Sequence, residues 1–215
     1  MITHALGIGG IAALVALGVL AANLLRDRGV ETSVSRRVAA IVGGAAYLLA
    51  VLCLDPWVAA AVSATIALLF LLLRLRFRQQ VRGLSESDPA QRWAEIAYPL
   101  AGAASFLIGW GWLGDRWLAF IPIAFMAWGD NAAGLVRASI SNGRQGTVWP
   151  SAAMLAVSLA AAALYEPYWI GAIGAIVATA VERFHPTTHP LWDDNWVIVA
   201  ASLSAMGTLT TVSPF

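Results

Sequence analysis

Residues 117–140 read WLAFIPIAFMAWGDNAAGLVRASI, an apolar run with an acid and an amide about two-thirds of the way along it. A transmembrane helix needs about 20 such residues, so the run predicts a membrane-spanning helix. A carboxylate at that depth costs roughly 2.5–3.5 kcal/mol on the lenient insertion scale, and intramembrane acids usually serve a function. Asp130 and Asn131 are therefore the first candidate functional residues.

The composition extends this interpretation to the whole chain. Its 215 residues are 60% hydrophobic and 12% charged, with a mean hydropathy of +0.74, whereas soluble domains average about 25% charged residues. The sequence predicts an all-α fold: a polytopic transmembrane helix bundle of about eight spans that forms one integral membrane domain over residues 1–215. The predicted helices cover residues 5–25, 37–54, 56–73, 94–113, 116–140, 150–165, 168–183 and 193–211.

The basic residues predict an orientation. All thirteen are arginine. With eight spans, Arg116 alone falls on one side, and cytoplasmic loops are the ones enriched in basic residues. We therefore expect a multi-pass protein of the cell membrane whose site faces the cytoplasm, with Arg74, Arg76 and Arg78 contacting anionic membrane lipids. The net charge of +1 gives no indication of a nucleic-acid partner.

A second polar cluster, Asp193-Asp194-Asn195, opens the last predicted helix. Asp and Asn are preferred helix N-caps, and acids favour the first turn, so capping explains part of it. Carboxylate and amide oxygens also suit Mg²⁺, which binds through one or two carboxylates plus substrate phosphates. Glu182 is a further acid on the same predicted side and a candidate ligand. Two acid–amide clusters on one side suggest a metal–phosphate site.

Arginines are the candidate phosphate contacts. Arg36 and Arg37 precede the second apolar run, and Arg144 lies in the glycine-containing loop 141–147. A guanidinium binds phosphate oxygens through two parallel hydrogen bonds. Backbone amides of that loop and the helix that follows it offer further anion contacts.

The order of these features resembles the CTP-dependent polyprenol kinases, the family of dolichol kinase and phytol kinase. The matching positions, in chain order, are Glu31, Ser35-Arg36-Arg37, Gly43, Gly129-Asp130-Asn131-Ala132-Ala133, Ser151, Glu182 and Asp193-Asp194-Asn195. The chain departs from the family pattern at Ala40, where the family usually has His, and at Arg37, where it has Lys. Gly146-Thr147 and Trp149-Pro150 are further departures.

The resemblance implies a transferase that moves the γ-phosphoryl group of CTP to the hydroxyl of an isoprenoid alcohol, with Mg²⁺. It implies Asp130, Asn131 and Asp194 as catalytic residues and Arg36, Arg37, Arg144 and Ser151 as nucleotide contacts. The implied metal ligands are Asp130, Asp193, Asp194, Asn195 and Glu182.

Two other functions stay open at this point. A CDP-lipid synthase would also use CTP and Mg²⁺, but it would release pyrophosphate. A small cation- or proton-coupled transporter would use Asp130 as its intramembrane carboxylate. The concentration of polar residues on one side favours an enzyme. A homodimer also stays open.

Overall fold

The computed structural model describes residues 2–84, 93–140, 147–184 and 194–213, and every long element in these ranges is a helix. The all-α prediction is confirmed. In chain order the long helices are α1 (Ile2–Asp27), α2 (Thr32–Cys53), α3 (Pro56–Arg76), α4 (Ala94–Ser105, continued by π-helical turns over Phe106–Trp112), α5 (Arg116–Ile140), α6 (Trp149–Ala162), α7 (Tyr168–Phe184) and α8 (Asp194–Val212). A short 3₁₀ segment, Arg78–Val81, follows α3.

Five helices are long and apolar enough to cross a membrane, namely α1, α2, α3, α5 and α8. Helix α6 is apolar but shorter. Helix α7 has 17 residues, and α4 changes from α- to π-helical geometry after Ser105. Length and composition thus agree with the membrane-helix prediction for five helices, and the count of eight spans stays a prediction.

Glycine and proline end or begin helices at the predicted breaks. Gly29 has a φ of 82° after α1, and the amide of Val30 donates to the carbonyl of Leu25. This left-handed glycine cap satisfies the last carbonyls of the helix. Pro56 is the first residue of α3, where its missing amide hydrogen costs nothing. The α2–α3 connection is therefore a tight hairpin.

Two helices differ from their predicted forms in ways that affect the polar residues. Helix α2 begins at Thr32 and not near residue 37, so Arg36 and Arg37 lie on the helix itself. Helix α5 stays helical through Gly129 but is π-helical over Phe125–Asp130. Single π-helical turns inside α-helices are frequent at functional sites.

Helix α5 is the centre of the bundle. Its residues 118–127 are all buried, and α2, α4, α6, α7 and α8 surround it. Phe120 and Phe125 are fully buried there. Because lipid is as apolar as these side chains, they stabilise a membrane bundle through close packing and not through exclusion of water.

Successive helices run in opposite directions, so the bundle has a basic end and a far end. The basic end holds the ion pairs Arg82–Asp27, Arg74–Glu95 and Arg137–Glu182. At the far end, His4 Nε2 lies 3.3 Å from Asp55 Oδ2, and the hydroxyl of Tyr165 lies 2.8 Å from Thr210 Oγ1. The basic end is the end at which α1 finishes and α2 starts.

Exposed aromatic side chains lie near both ends. Trp93 and Trp149 are exposed near the basic end, and Trp57, Trp112 and Tyr168 are exposed near the far end. Amphipathic aromatic rings are enriched at the two membrane–water interfaces. Helix α3 runs between these two ends and has 21 residues, close to the number needed to cross the hydrocarbon core.

Candidate functional site

A cavity of about 360 Å³ separates the α1–α2 pair from the α3–α4 pair and reaches α5. Its wall on α2 runs from Arg36 to Ala50, which is roughly 20 Å at 1.5 Å per residue. One part, towards the basic end, is charged, and most of the remainder is apolar. The volume falls within the ~300–1,000 Å³ typical of small-molecule sites.

The charged part of the cavity is built by residues from four helices that the sequence places far apart, together with one acid from α4. Its polar lining residues are Arg36 and Arg37 of α2, Glu95 of α4, Asp130, Asn131 and Arg137 of α5, Glu182 of α7 and Asn195 of α8. The fold therefore brings Arg36, Arg37, Asp130, Asn131, Glu182 and Asn195, all predicted from the sequence, to one space.

Arg37 and Asp130 form the contact between α2 and α5 in this space. The guanidinium Nη1 lies 3.8 Å from Asp130 Oδ2 and donates a long hydrogen bond, 3.5 Å, to the backbone carbonyl of Asp130. Their side chains are 14% and 17% exposed. The pair is close enough for mutual attraction but is not a tight bidentate fork. An anion bound by Arg37 would therefore lie directly beside the Asp130 carboxylate.

The two glycines that flank this acid have different surroundings. A Cβ atom at Gly134 would overlap the guanidinium of Arg37, whereas one at Gly129 would overlap the hydroxyl of Ser158 on α6. Gly129 thus permits close packing of α5 on α6, as small residues do between membrane helices. Gly134 instead provides the room that Arg37 needs to reach the site.

Asn131 stabilises the π-helical turn that precedes it. Its Nδ2 donates to the carbonyls of Met126 and Ala127 at 3.2 and 3.0 Å. Both carbonyls lie in the Phe125–Asp130 segment, in which the regular α-helical pairing is interrupted. The amide nitrogen of Asn131 therefore has a structural role, and this role fixes the backbone that carries Asp130.

Ser35, of the Ser35-Arg36-Arg37 motif, does not face the charged part of the cavity. Its hydroxyl is fully buried and donates to the carbonyl of Gly83 at 2.8 Å. It thereby fixes the chain that follows α3 against the start of α2. The serine of the motif is a structural residue that orients the helix turn bearing the two arginines.

Glu182 is more deeply buried than Asp130, the other predicted site acid whose side chain the structure describes. Its side chain is 4% exposed and pairs with Arg137 of α5 through Oε1. Its Oε2 is buried and has no hydrogen-bond partner among the described residues. Buried carboxylate oxygens usually have partners, so one without a protein partner is a candidate ligand atom.

Ser151 lies beside the charged part of the cavity but does not line it. Its hydroxyl accepts a hydrogen bond of 3.2 Å from Arg183 Nη1, at the basic ends of α6 and α7. Arg144 and Asp193 lie outside the described residues. Asp194 is the first residue of α8 and directly precedes Asn195.

A magnesium site can be assessed only on part of its predicted ligand set. Among the residues that the structure describes, no three His, Cys, Asp or Glu side chains form a metal-binding group. Mg²⁺ needs fewer protein ligands, because it keeps waters and uses substrate phosphates. The oxygens of Asp130, Glu182 and Asn195 around one space are of the hard type that Mg²⁺ prefers. Glu182 Oε2, which has no partner in the part of the chain that the structure describes, fits the same role.

Glu95 is a cavity residue that the sequence analysis missed. Its side chain is 2% exposed and forms a buried ion pair with Arg74 of α3. The guanidinium of Arg74 also lies 4.9 Å from the centre of the Trp93 ring. An acid at the start of a helix usually indicates a solvated first turn, so only the packing of α3 on α4 reveals this pair.

The apolar part of the cavity contains hydroxyl groups whose hydrogen bonds go to backbone carbonyls. Tyr98 donates to the carbonyl of Ala40 at 2.8 Å, Tyr47 to that of Tyr98 at 3.2 Å, and Ser63 to that of Pro99 at 2.7 Å. Because their hydroxyls are satisfied by the protein, the wall that these residues form is suited to an apolar ligand.

The arrangement joins an anion-binding group of arginines and a set of carboxylate and amide oxygens to an apolar channel. Such a site fits an amphiphile whose polar end reacts or binds beside Arg37 and Asp130. No protein-family model, curated protein or solved structure matches this chain. The functional argument therefore rests on its residues and on the geometry of this cavity.

Proposed function

We propose that this protein is a CTP-dependent kinase that phosphorylates the hydroxyl of a long-chain isoprenoid alcohol at the cytoplasmic face of the cell membrane. The observation that supports the proposal most is the continuity of the cavity. Charged and amide groups lie together towards one end, and an apolar channel of roughly 20 Å leads away from them along α2. A lipid alcohol is divided in the same way, into a polar hydroxyl end and an apolar chain.

The arginines would bind the triphosphate of the nucleotide. Arg36 and Arg37 line the charged part of the cavity on consecutive positions of α2, and Arg144 is a third candidate from the resemblance. Phosphoryl transfer depends mainly on positioning and on neutralisation of phosphate charge. Arg37 Nη1 lies 3.8 Å from Asp130 Oδ2, so a phosphate oxygen bound by this arginine would lie beside the acid.

The acids would serve the metal and the acceptor. Asp130, Glu182 and Asn195, with Asp193 and Asp194, are the candidate ligands of Mg²⁺, which would neutralise charge on the β- and γ-phosphates. Asp130, which lines the cavity, would also accept the proton of the lipid hydroxyl. In the transfer, the hydroxyl oxygen forms a bond to the γ-phosphorus, the bond to the bridging oxygen breaks, and CDP leaves.

The orientation follows from the arginines. The basic end contains the described arginines other than Arg116, and basic loops are retained on the cytoplasmic side. The charged part of the cavity would then face the compartment that contains nucleotides. The concentration of polar lining residues at this one end supports an enzyme over a transporter, which needs access from both sides.

The deciding experiment follows two labels from CTP with the purified protein, Mg²⁺ and a panel of lipid alcohols and lipid phosphates. We expect label from the γ-phosphate in the lipid product, and none from the α-phosphate. Entry of the α-label and cytidine, with release of pyrophosphate, would establish the CDP-lipid synthase instead. If neither label enters any lipid, the kinase proposal fails and the transporter becomes the leading hypothesis.

A further inference from the structure

Helices α1 and α3 both line the apolar part of the cavity, yet they barely touch each other. Helix α1 packs along α2, where Gly18 lies against the backbone of Ala39. Helix α3 packs along α4 and meets α2 mainly near their hairpin. Ile11, Val15 and Val19 of α1 therefore face Val62, Ile66 and Phe70 of α3 across the cavity and not across a packed interface.

The gap between α1 and α3 is closed at the far end. His4, in the first turn of α1, lies 3.3 Å from Asp55, the residue directly before α3. The hairpin between α2 and α3 also brings Ala50 and Ala59, both buried lining residues, to this closed end.

The gap is also closed at the basic end, by the short segment Arg78–Leu84 that follows α3 and returns to α1. Asn23 of α1 holds it on both sides: Nδ2 donates to the carbonyl of Gln80 at 2.8 Å, and Oδ1 accepts from the amide of Gly83 at 2.9 Å. Arg82 adds an ion pair with Asp27. Leu84 is buried and lines the cavity at its basic end.

We infer that the space between α1 and α3 is a side entrance through which one apolar chain passes from the bilayer into the cavity. This inference rests on the proposed function. It specifies the route by which the lipid substrate enters and states that this lipid has one chain. Hydrogen bonds and ion pairs close the opening at its two water-facing ends. Between these ends, the apolar faces of α1 and α3 do not pack against each other. The chain lies along the apolar channel, and its polar end reaches the charged residues Arg37 and Asp130.

The occupant is a lipid with a single chain. The cavity volume of about 360 Å³ is near the lower limit for ligand sites. The lining residues Ala40, Ala46 and Ala50 of α2 are small and give the channel its width. The ring of Tyr98 on α4 packs against Gly43 of α2 and limits that width. A diacyl lipid would need room for a second chain, which a cavity of this volume does not offer.

The test uses an isoprenoid alcohol with a diazirine in the roughly 20 Å of chain nearest its hydroxyl, the length of the channel, in phosphatidylcholine vesicles that contain the full-length protein. Photolabelling should be saturable, should map to α1, α2 and α3, and should be competed by unlabelled isoprenoid alcohol but not by diacylglycerol. Saturable labelling confined to α7 and α8, or equal competition by diacylglycerol, would overturn the inference.

Matched variants refine the test. Val15→Trp and Ile66→Trp fill the entrance, and we expect saturable labelling at least about tenfold weaker. Leu17→Trp and Leu69→Trp place the same ring on exposed faces of the same helices and should label as the wild type does. Equal labelling of all four variants would contradict the entrance.

Labelling requires no turnover, so the two proposals fail separately. CTP binding should be the same in all four variants, because none of the substituted residues is a charged or amide residue of the cavity. Saturable labelling without transfer of the γ-label would retain the entrance and reject the kinase. Transfer of the γ-label to a diacylglycerol would retain a kinase and reject the single-chain entrance.

Discussion

The guanidinium of Arg37 lies against Gly134, in space that any larger side chain at that position would fill. This contact couples α2 to α5 one turn beyond Asp130, the residue with which Arg37 pairs. The position of the arginine at the site therefore depends on the absence of a side chain on another helix.

We predict that Gly134→Ala displaces Arg37 and lowers turnover by about a hundredfold, the loss typical of a catalytic group misplaced by about 1 Å. The fold should survive, since alanine is favoured over glycine within a helix by roughly 0.5–1 kcal/mol. Steady-state kinetics and CTP affinity measure the effect. Gly9→Ala is the matched control, because a Cβ atom there meets nothing within 4 Å.

A double variant separates the steric mechanism from a general loss of packing. If Gly134→Ala acts only through the arginine, it should add little to the defect of Arg37→Ala. Additive losses in the Arg37→Ala/Gly134→Ala protein would mean that the glycine serves helix packing instead.

Asn131→Asp should destabilise the protein by about 1–3 kcal/mol, because it removes both hydrogen bonds to the Met126 and Ala127 carbonyls and places a carboxylate oxygen beside those carbonyl oxygens. Thermal unfolding in detergent measures this loss. Gln79→Glu, at an exposed position of the basic end, should change stability by no more than about 0.5 kcal/mol. An inactive Asn131→Asp protein of unchanged stability would assign the residue to catalysis and not to the π-helical turn.

The sequence was informative wherever the physical signal is local. Asp130 and Asn131 stood out as candidate functional residues because they are polar residues inside an apolar run, and both line the cavity. The apolar runs themselves predicted the helices. Gly29 and Pro56 lie at real helix ends because their backbone preferences act within a few residues. These features require no knowledge of which helices are neighbours.

Features that depend on helix neighbours could not be read from the sequence. Glu95 resembles an ordinary acid of a first helical turn until α3 brings Arg74 against it. Ser35 lies beside two cavity arginines in the chain, yet its hydroxyl is used by Gly83. The cavity exists because the α1–α2 pair and the α3–α4 pair do not pack closely on each other. No sequence pattern within a single helix predicts that two helices will stay apart.

The orientation of the bundle has a direct test in intact cells. On a background with the single cysteine Cys53 replaced by serine, Gln79→Cys at the basic end should resist a membrane-impermeant thiol reagent, whereas Ala163→Cys at the far end should react. The reason is that basic segments are retained in the cytoplasm. Both positions are exposed in the structure, so burial would not explain a difference. Labelling of Gln79→Cys from outside would reverse the orientation and move the charged part of the cavity away from the nucleotide pool.

The acids carry the sharpest prediction about chemistry. Asp130→Asn and Asp194→Asn should each lower turnover by about 10²–10⁴-fold, the contribution expected of a positioned acid–base group or of a lost metal contact. An amide keeps the shape of the side chain but neither carries the charge that Mg²⁺ requires nor accepts a proton. Asp27→Asn is the matched control, because Asp27 lies at the same end of the bundle in an exposed ion pair with Arg82 and should affect turnover little.

Raising the Mg²⁺ concentration separates the two roles: a variant that has lost a metal ligand should recover in part, whereas one that has lost its proton acceptor should not. Near-normal turnover of both variants at saturating Mg²⁺ would leave Asp130 as a packing partner of Arg37 and Asp194 as a residue of the first turn of α8.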